Sequence, residues 1–450
     1  MDSQATAKFT FPRSVSHLLQ YQFLHSNCKS QLPNWNIIFS AAEAYLLYCD
    51  CQPLPLFDRS SFNNNLKDRD AEVLLSILGL ALRFTDFPAE VKDASRYVEL
   101  ARTIISRKIF EGKVELSTIQ SLCLLSLIDF TGMHRIIDAQ TKLISLDGKT
   151  RRASIHTSVA MTLAHNAGLT SETHLMIPNH EKEERRRCFW SLFLLKKLHG
   201  ADFLILDFSS EDDLPPYPRA TGTQHDVGDA LPSIAESLDG ESADKGIVAY
   251  AIQLTDVWFN ITRYARRRGK PTTIPPWSSE SEYSRILAQQ MKFETKMPYH
   301  HRFKPAKFSE KSLEQLNSTR GYWGPWLFIQ FLYHTNLCLL NHPLLISLRL
   351  KNFKCVIPEI FLQHTSDLIS SHASWIINFI DMLEAKSFKA TDPFLGHCVA
   401  IVATIYLQGS FVDDPITRKQ RQDSFEKCLR FIRGFGGQWP HVGRIVSNVF

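Results

Sequence analysis

The chain of 450 residues lacks most of the short patterns that announce chemistry. It has no G-x-x-x-x-G-K-[ST] loop and no G-x-G-x-x-G turn, which excludes the common backbone cradles for phosphate. It has no G-x-S-x-G elbow and no H-E-x-x-H pair, which removes the usual serine-hydrolase and zinc-protease readings. C-x2-C is absent as well, and the nine cysteines are scattered singly, so neither a disulfide framework nor a zinc knuckle is indicated. Buried free thiols are expected instead. No run approaches the roughly 18 apolar residues of a membrane span, and the first residues, MDSQATAKFTFPRS, contain no apolar leader. Together these absences lead us to expect a soluble intracellular protein that does not associate with membranes.

What is present is an ordinary globular composition, 44% hydrophobic and 22% charged. The net charge of +5, spread over so long a chain, does not by itself mark a nucleic-acid binder. Apolar periodicity is helical almost throughout, with no strand-length alternation and no fixed-period repeat. The pattern predicts an all-α fold: a large multi-helix domain in two helical halves joined by an acidic Pro/Gly-rich loop. The divisions fall at 1–33 for an N-terminal tail, 34–208 for the first half, 209–246 for the loop and 247–450 for the second half. The loop carries four prolines, four glycines and nine acids opposed only by Arg219 and Lys245, and it reads as solvent-exposed. Ser117 and Gln120 have capping-box spacing for a helix through Phe130. The C-terminal stretch GFGGQWPHVGRIVSNVF reads as a glycine-punctuated coil with a short tail.

The most complete helix in the sequence is Glu181–Leu198, EKEERRRCFWSLFLLKKL. Asn179 is placed to cap it, acids fill its first turn, and Lys196 and Lys197 fill its last turn, each where the helix dipole favours that charge. Glu181 faces Arg185 and Glu183 faces Arg187 at i,i+4. These pairings predict that Arg185–Arg187 form a solvated face neutralised by their own glutamates. The apolar block Phe189, Trp190, Leu192–Leu195 is wider than a surface stripe, so the helix should be clasped on several sides.

Few other groups suggest chemistry. Asp212–Asp213 and Asp413–Asp414 lack the third acid that a magnesium cluster would need, and both read as loop or capping acids. His300 and His301 are adjacent and are expected to point apart in a polar, exposed loop. Arg263, Arg266, Arg267, Arg268 and Lys270 form a basic cluster that its own segment does not neutralise. It reads either as a nuclear import signal or phosphate contact, or as cations at a helix C-terminus. No catalytic or metal-binding set emerges, and no enzyme is predicted.

Eight segments occur in an order that resembles the regulatory region of fungal-specific transcription factors, their middle homology region. QPLPLFDRSSF (52–62), LLSILGLALRF (74–84), YVELARTII (97–105), STIQSLCLLSL (117–127) and SVAMTLAHNAGL (158–169) come first. EERRRCFWSLFLLKKL (183–198) is similar to the family's E-x-RRR-x-h-W helix. FLYHTNLCLLNHPLL (331–345) and DPFLGHCVAIVATIYL (392–407) follow. Three features depart from the family. Phe57-Asp58-Arg59 stands in place of its Leu-His-Arg in the first segment. Lys196–Lys197 replace its Asp-Arg pair, and the six-cysteine binuclear zinc cluster with which these proteins read DNA does not occur in this sequence. The resemblance implies a nuclear regulator of DNA-templated transcription, governing a metabolic pathway through its regulatory domain. Its partners would be the transcription machinery, other regulators and a small-molecule effector. It would reach DNA only indirectly or through a module encoded upstream, and no cofactor is expected in the chain itself. Two other readings remain open from the residues alone, an all-helical metabolic enzyme and a cytoplasmic interaction scaffold.

Overall fold

A computed structural model describes residues 32–85, 93–129, 148–171, 177–199, 214–220, 244–267, 274–351, 353 and 356–449. Among them the fold is all-α, with no strand. The first helices are α1 (Trp35–Tyr48), α2 (Ala71–Ala81), α3 (Ala94–Phe110), α4 (Leu116–Asp129), α5 (Gly148–Asn166) and α6 (Asn179–His199). Then come α7 (Ile247–Arg266), α8 (Glu282–Lys296), α9 (Phe303–Ala306), α10 (Leu313–Ser318) and α11 (Arg320–Leu340). The last are α12 (Pro343–Leu350), α13 (Glu359–Ala385), α14 (Pro393–Gly409), α15 (Pro415–Gly434) and α16 (Pro440–Val449). No described helix is long and apolar enough to cross a membrane.

Local chemistry sets many of the helix starts. The side chains of Asn34, Asp93, Ser281, Asp392 and Asp414 each accept a backbone N–H in the first turn that follows. Such a cap contributes about 1 kcal/mol. The capping box lies at Ser312 and Gln315; the Ser117–Gln120 expectation was wrong. α4 begins at Leu116, so both residues lie inside it. Ser117 Oγ reaches Glu72 (3.3 Å) and Gln120 Nε2 reaches Glu184 (3.1 Å), because that face of the helix is covered by α2 and α6.

One continuous core runs from Ile38 to Val446, drawing on helices from both sides of residues 209–246. α2 and α4 are buried on nearly every face, as their unbroken apolar content requires. α11 is the hub of the later helices and packs against α7, α13 and α14, and also against α1. It starts one turn before Gly324, where the sequence suggested, and carries Pro325 within its length. Gly324 permits the close contact with the early chain: a Cβ there would lie 2.8 Å from Gln52 Cγ.

Further contacts join early and late segments. Thr391 Oγ1 donates to Gln52 Oε1, and Lys197 pairs with Asp256 at 2.6 Å. The expected C-terminal tail is instead the helix α16, which buries Val442, Ile445 and Val446. Pro at its first position favours helix initiation, and Trp439 just before it is 1% exposed. The Trp439 indole donates to the Thr391 carbonyl and meets Phe84 edge-on, with Arg83 over its ring. The glycines that suggested coil serve packing: a Cβ on Gly443 would sit 2.8 Å from Gly436 Cα. The seven described cysteines are all buried free thiols, as expected.

Asp392 is a capping acid held in a dry place. Its Oδ1 accepts from Phe394 N, while Oδ2 is buried without a hydrogen-bond partner. Burial raises its pKa to about 7, against the backbone hydrogen bond that lowers it. Because the folded pKa exceeds the unfolded one, this group's stabilisation is complete below about pH 4 and lost as pH rises through about 7. Asp392→Asn keeps a good cap and removes the ionisation. Its stability relative to the parent chain should therefore climb between about pH 4 and 7, by at most about 1.4 kcal/mol per pH unit. Urea unfolding of both proteins across that range is the measurement; an unchanged difference would contradict the assignment.

Candidate functional site

The acids and arginines of α6 look across to other segments more than along their own helix. Arg187 is 1% exposed and Glu183 3% exposed, so the expected solvated face is instead a buried ion pair. Arg187 Nε donates to Glu183 Oε1 at 2.8 Å, and Arg186 adds a contact to Glu183 Oε2 at 2.9 Å. Glu184, also buried, is clasped by both terminal nitrogens of Arg69, whose guanidinium lies over Phe57 and Phe62. Arg185, expected to pair with Glu181, donates to the Ala167 carbonyl beyond α5 at 2.7 Å. The helix itself begins at Asn179, one residue earlier than a cap there would allow, and Gly200 lies outside the described residues.

Residues 214–220 explain that burial. This short extended strap lies within the acidic loop and packs on α6, where the sequence suggested free solvent. Glu183 Oε1 also accepts from Arg219 N (2.9 Å), and Arg187 Nη2 donates to Arg219 O (2.9 Å). The ion pair therefore satisfies both backbone groups of one strap residue, as a neighbouring strand would. One turn further on, the Trp190 indole donates to Pro216 O (2.8 Å) and stacks on Tyr217, centroids 4.6 Å apart. Pro215 and Pro218 are buried beside them. Glu183, Arg187 and Trp190 stand at i, i+4 and i+7 and so share one face of the helix.

The connector after α1 brings a third layer. Asp58 accepts the hydroxyls of Ser60 (2.7 Å) and Ser61 (2.9 Å), which fixes the DRSS turn. Burial opposes ionisation of Asp58, but these hydroxyls outweigh it and hold its pKa below the ordinary value. Arg59 reaches the Leu46 carbonyl (3.2 Å) and the buried carboxylate of Asp50 (3.5 Å). Burial pushes the Asp50 carboxyl up, and the positive charges of Arg187 and Arg59 oppose the shift. Turn, helix and strap enclose a cleft of about 550 Å³ lined by Asp58, Arg59, Ser60, His180, Glu183, Arg187 and Arg219. That size suits a small molecule. Arg187 Nη1 is buried beside the cleft with no hydrogen-bond partner.

The basic cluster is spread out. Arg263 is exposed over Phe259, Arg266 lies in the last turn of α7, and Arg267 makes a two-pronged contact with Glu282 (3.1 Å each). Arg268 and Lys270 lie outside the described residues, as do Asp212 and Asp213. Asp414 caps α15 through Thr417. His301 was expected in solvent and is 4% exposed, and both its Nε2 and that of His300 converge on Asp244. The residues that sequence reasoning missed are Arg219, Asp58 and Asp244. Only the first two carried a signal, the proline-rich strap and the Asp-x-Ser-Ser turn.

Two of the three segments that meet at the cleft, the DRSS turn and α6, are among those that resemble a family. The model of the fungal specific transcription factor domain matches residues 42–205, which include the DRSS turn and all of α6. Residues 42–205 are thus similar to that domain. Over 441 residues the chain is 21% identical to the Zn(2)-C6 fungal-type transcription factor FTF1a of Fusarium oxysporum f. sp. lycopersici, covering 93% of this chain and 39% of that protein. It is 21% identical over 443 residues to FTF1c of the same organism, covering 93% and 46%. It is 23% identical over 348 residues to an uncharacterized transcriptional regulatory protein of Schizosaccharomyces pombe, C1327.01c, covering 70% and 33%. The chain thus spans less than half the length of these relatives. No solved structure matches at a significant level. Within the matched residues, the acid-arginine-tryptophan run of α6 acts as a clamp on the strap, which lies just beyond them.

The clamp can be tested directly. Arg187→Ala should leave the buried Glu183 with only the Arg186 contact in place of two cations and lower stability by about 3 kcal/mol. Glu183→Gln with Arg187→Met removes both charges and should cost less than Arg187→Ala alone. Equilibrium urea unfolding measures both; equal losses would argue against a buried pair.

Proposed function

We propose that this chain is the regulatory part of a fungal regulator of DNA-templated transcription, a non-enzymatic protein that acts in the nucleus. The observation that carries this reading is the domain match at 42–205, together with relatives aligned over 93% of the chain that are named as transcription factors. It works through partner regulators or the transcription machinery. It reaches DNA indirectly, or through a module outside this sequence, since the chain holds no six-cysteine cluster. The cleft beside the strap receives a small polar effector. Its three arginines outnumber its two acids, which favours a molecule carrying acceptor or anionic groups. An effector bound there shifts the balance between two placements of the strap by binding one better than the other. Arg263, Arg266, Arg267, Arg268 and Lys270 serve as the nuclear import signal.

Fusion of residues 1–450 to an unrelated DNA-binding domain should change expression of a matching reporter several-fold relative to that domain alone. His180→Trp, which fills the cleft from an exposed position, should move that output while leaving the unfolding midpoint unchanged. A reporter indifferent to the fused chain would refute the regulatory reading.

Import is a separate prediction. Changing Arg266, Arg267 and Arg268 to Gln should shift a fluorescent fusion from nucleus to cytoplasm. Unchanged nuclear fluorescence would remove the import role from this cluster.

A further inference from the structure

From the convergence of Asp244, His300 and His301 we infer a binding site for a divalent transition-metal ion of the zinc class. Asp244 Oδ2 lies 3.1 Å from Nε2 of His300 and 3.1 Å from Nε2 of His301. The three prospective ligand atoms all lie within 4.8 Å of one another. Around a tetrahedral zinc with bonds of about 2.0–2.1 Å, ligand atoms stand roughly 3.3 Å apart. Both carboxylate–imidazole separations therefore match the edges of such a shell, and the two imidazole nitrogens lie within 4.8 Å of each other.

The surroundings favour a built site. His301 is buried, and its Nδ1 is 3.0 Å from the Tyr322 hydroxyl. That hydroxyl can accept the Nδ1–H, the tautomer that leaves Nε2 free to ligate. The His301 carbonyl accepts from the Trp326 indole at 2.9 Å, which holds the Tyr299–His301 turn against α11. Asp244 Oδ1 is oriented by Gly246 N at 2.9 Å. His300 and Asp244 are exposed, so an ion can enter and the fourth position faces water. Two imidazoles with one carboxylate suit zinc and its neighbours and disfavour magnesium and calcium, which take oxygen ligands. The basis is three side chains that share no sequence motif, so the expectation of a metal-free chain is replaced.

The position gives the site a consequence. Asp244 closes the acidic segment just before α7, and Gly246 abuts Ala220 so tightly that a Cβ on the glycine would lie 2.8 Å from the alanine Cβ. Ala220 follows Arg219, the strap residue held by Glu183 and Arg187. A metal ion would fasten one end of the acidic segment to the Tyr299–His301 turn, next to the strap.

The full chain, freed of any affinity tag and stripped with a chelator, should bind one equivalent of zinc in calorimetric titration. Its thermal unfolding midpoint should rise with zinc concentration, as binding to the folded state requires. Cobalt(II) should give the visible absorption of a four- or five-coordinate ion. His300→Gln, an exposed change that leaves the fold intact, should weaken zinc binding by at least about tenfold, the loss that even an outer-shell change causes. Asp244→Asn should do the same, while His180→Gln in the cleft should leave it unaltered. No zinc uptake, or equal uptake by the His300 and Asp244 variants, would overturn the site. Neither result depends on the reporter outcome above.

Discussion

The buried pair of Glu183 and Arg187 is the constraint around which this part of the structure is arranged. Two charges withdrawn from water are costly unless each finds good geometry and further hydrogen bonds. Here the carboxylate takes Arg187, Arg186 and a backbone N–H, and the guanidinium donates a hydrogen bond to the carbonyl of the same strap residue. Removing the strap would leave the pair short of partners, and removing the pair would orphan the strap's backbone. Each therefore specifies the other, which is the use of buried ionic groups that favours one arrangement over many. The tryptophan one turn away repeats the device with an indole N–H and a ring stack.

This arrangement gives a physical meaning to a sequence signature. An acid, three arginines and a tryptophan on one helix look like self-neutralising surface charge. Their partners show why each is needed. Glu184 holds Arg69, Glu183 and Arg187 hold Arg219, Arg185 holds the end of α5, and Trp190 holds Pro216. The helix ties together the connector after α1, the neighbour α5 and the strap. A cleft at the meeting point of these segments follows from their convergence. The DRSS turn forms one wall because Asp58 uses its own serines to keep the turn closed.

Much of the fold was legible because helices advertise themselves locally. α1, α3, α8, α13 and α15 fall within a few residues of their apolar periodicity, and Asn34, Ser281 and Asp414 cap where short polar side chains should. Failures came where a local signal had a tertiary use. Ser117 and Gln120 have capping-box spacing but serve Glu72 and Glu184. The C-terminal glycines looked like coil but allow α16 to approach its neighbour. His300 and His301 are adjacent, and adjacency usually separates rings, yet a tight turn brings both nitrogens onto one carboxylate 56 residues away in sequence.

The sequence by itself determined that the described chain is helical, that the described cysteines are buried thiols, and that eight segments in order resemble a fungal regulatory domain. These follow from periodicity, composition and motif order, all of which are local or additive properties. Only the tertiary structure decided which charges are buried and what they hold. Partner choice across more than 30 residues depends on how helices pack, and no spacing rule encodes it. For that reason the clamp on residues 214–220, the cleft beside it and the convergence of Asp244 with two histidines appear only when the chain is folded.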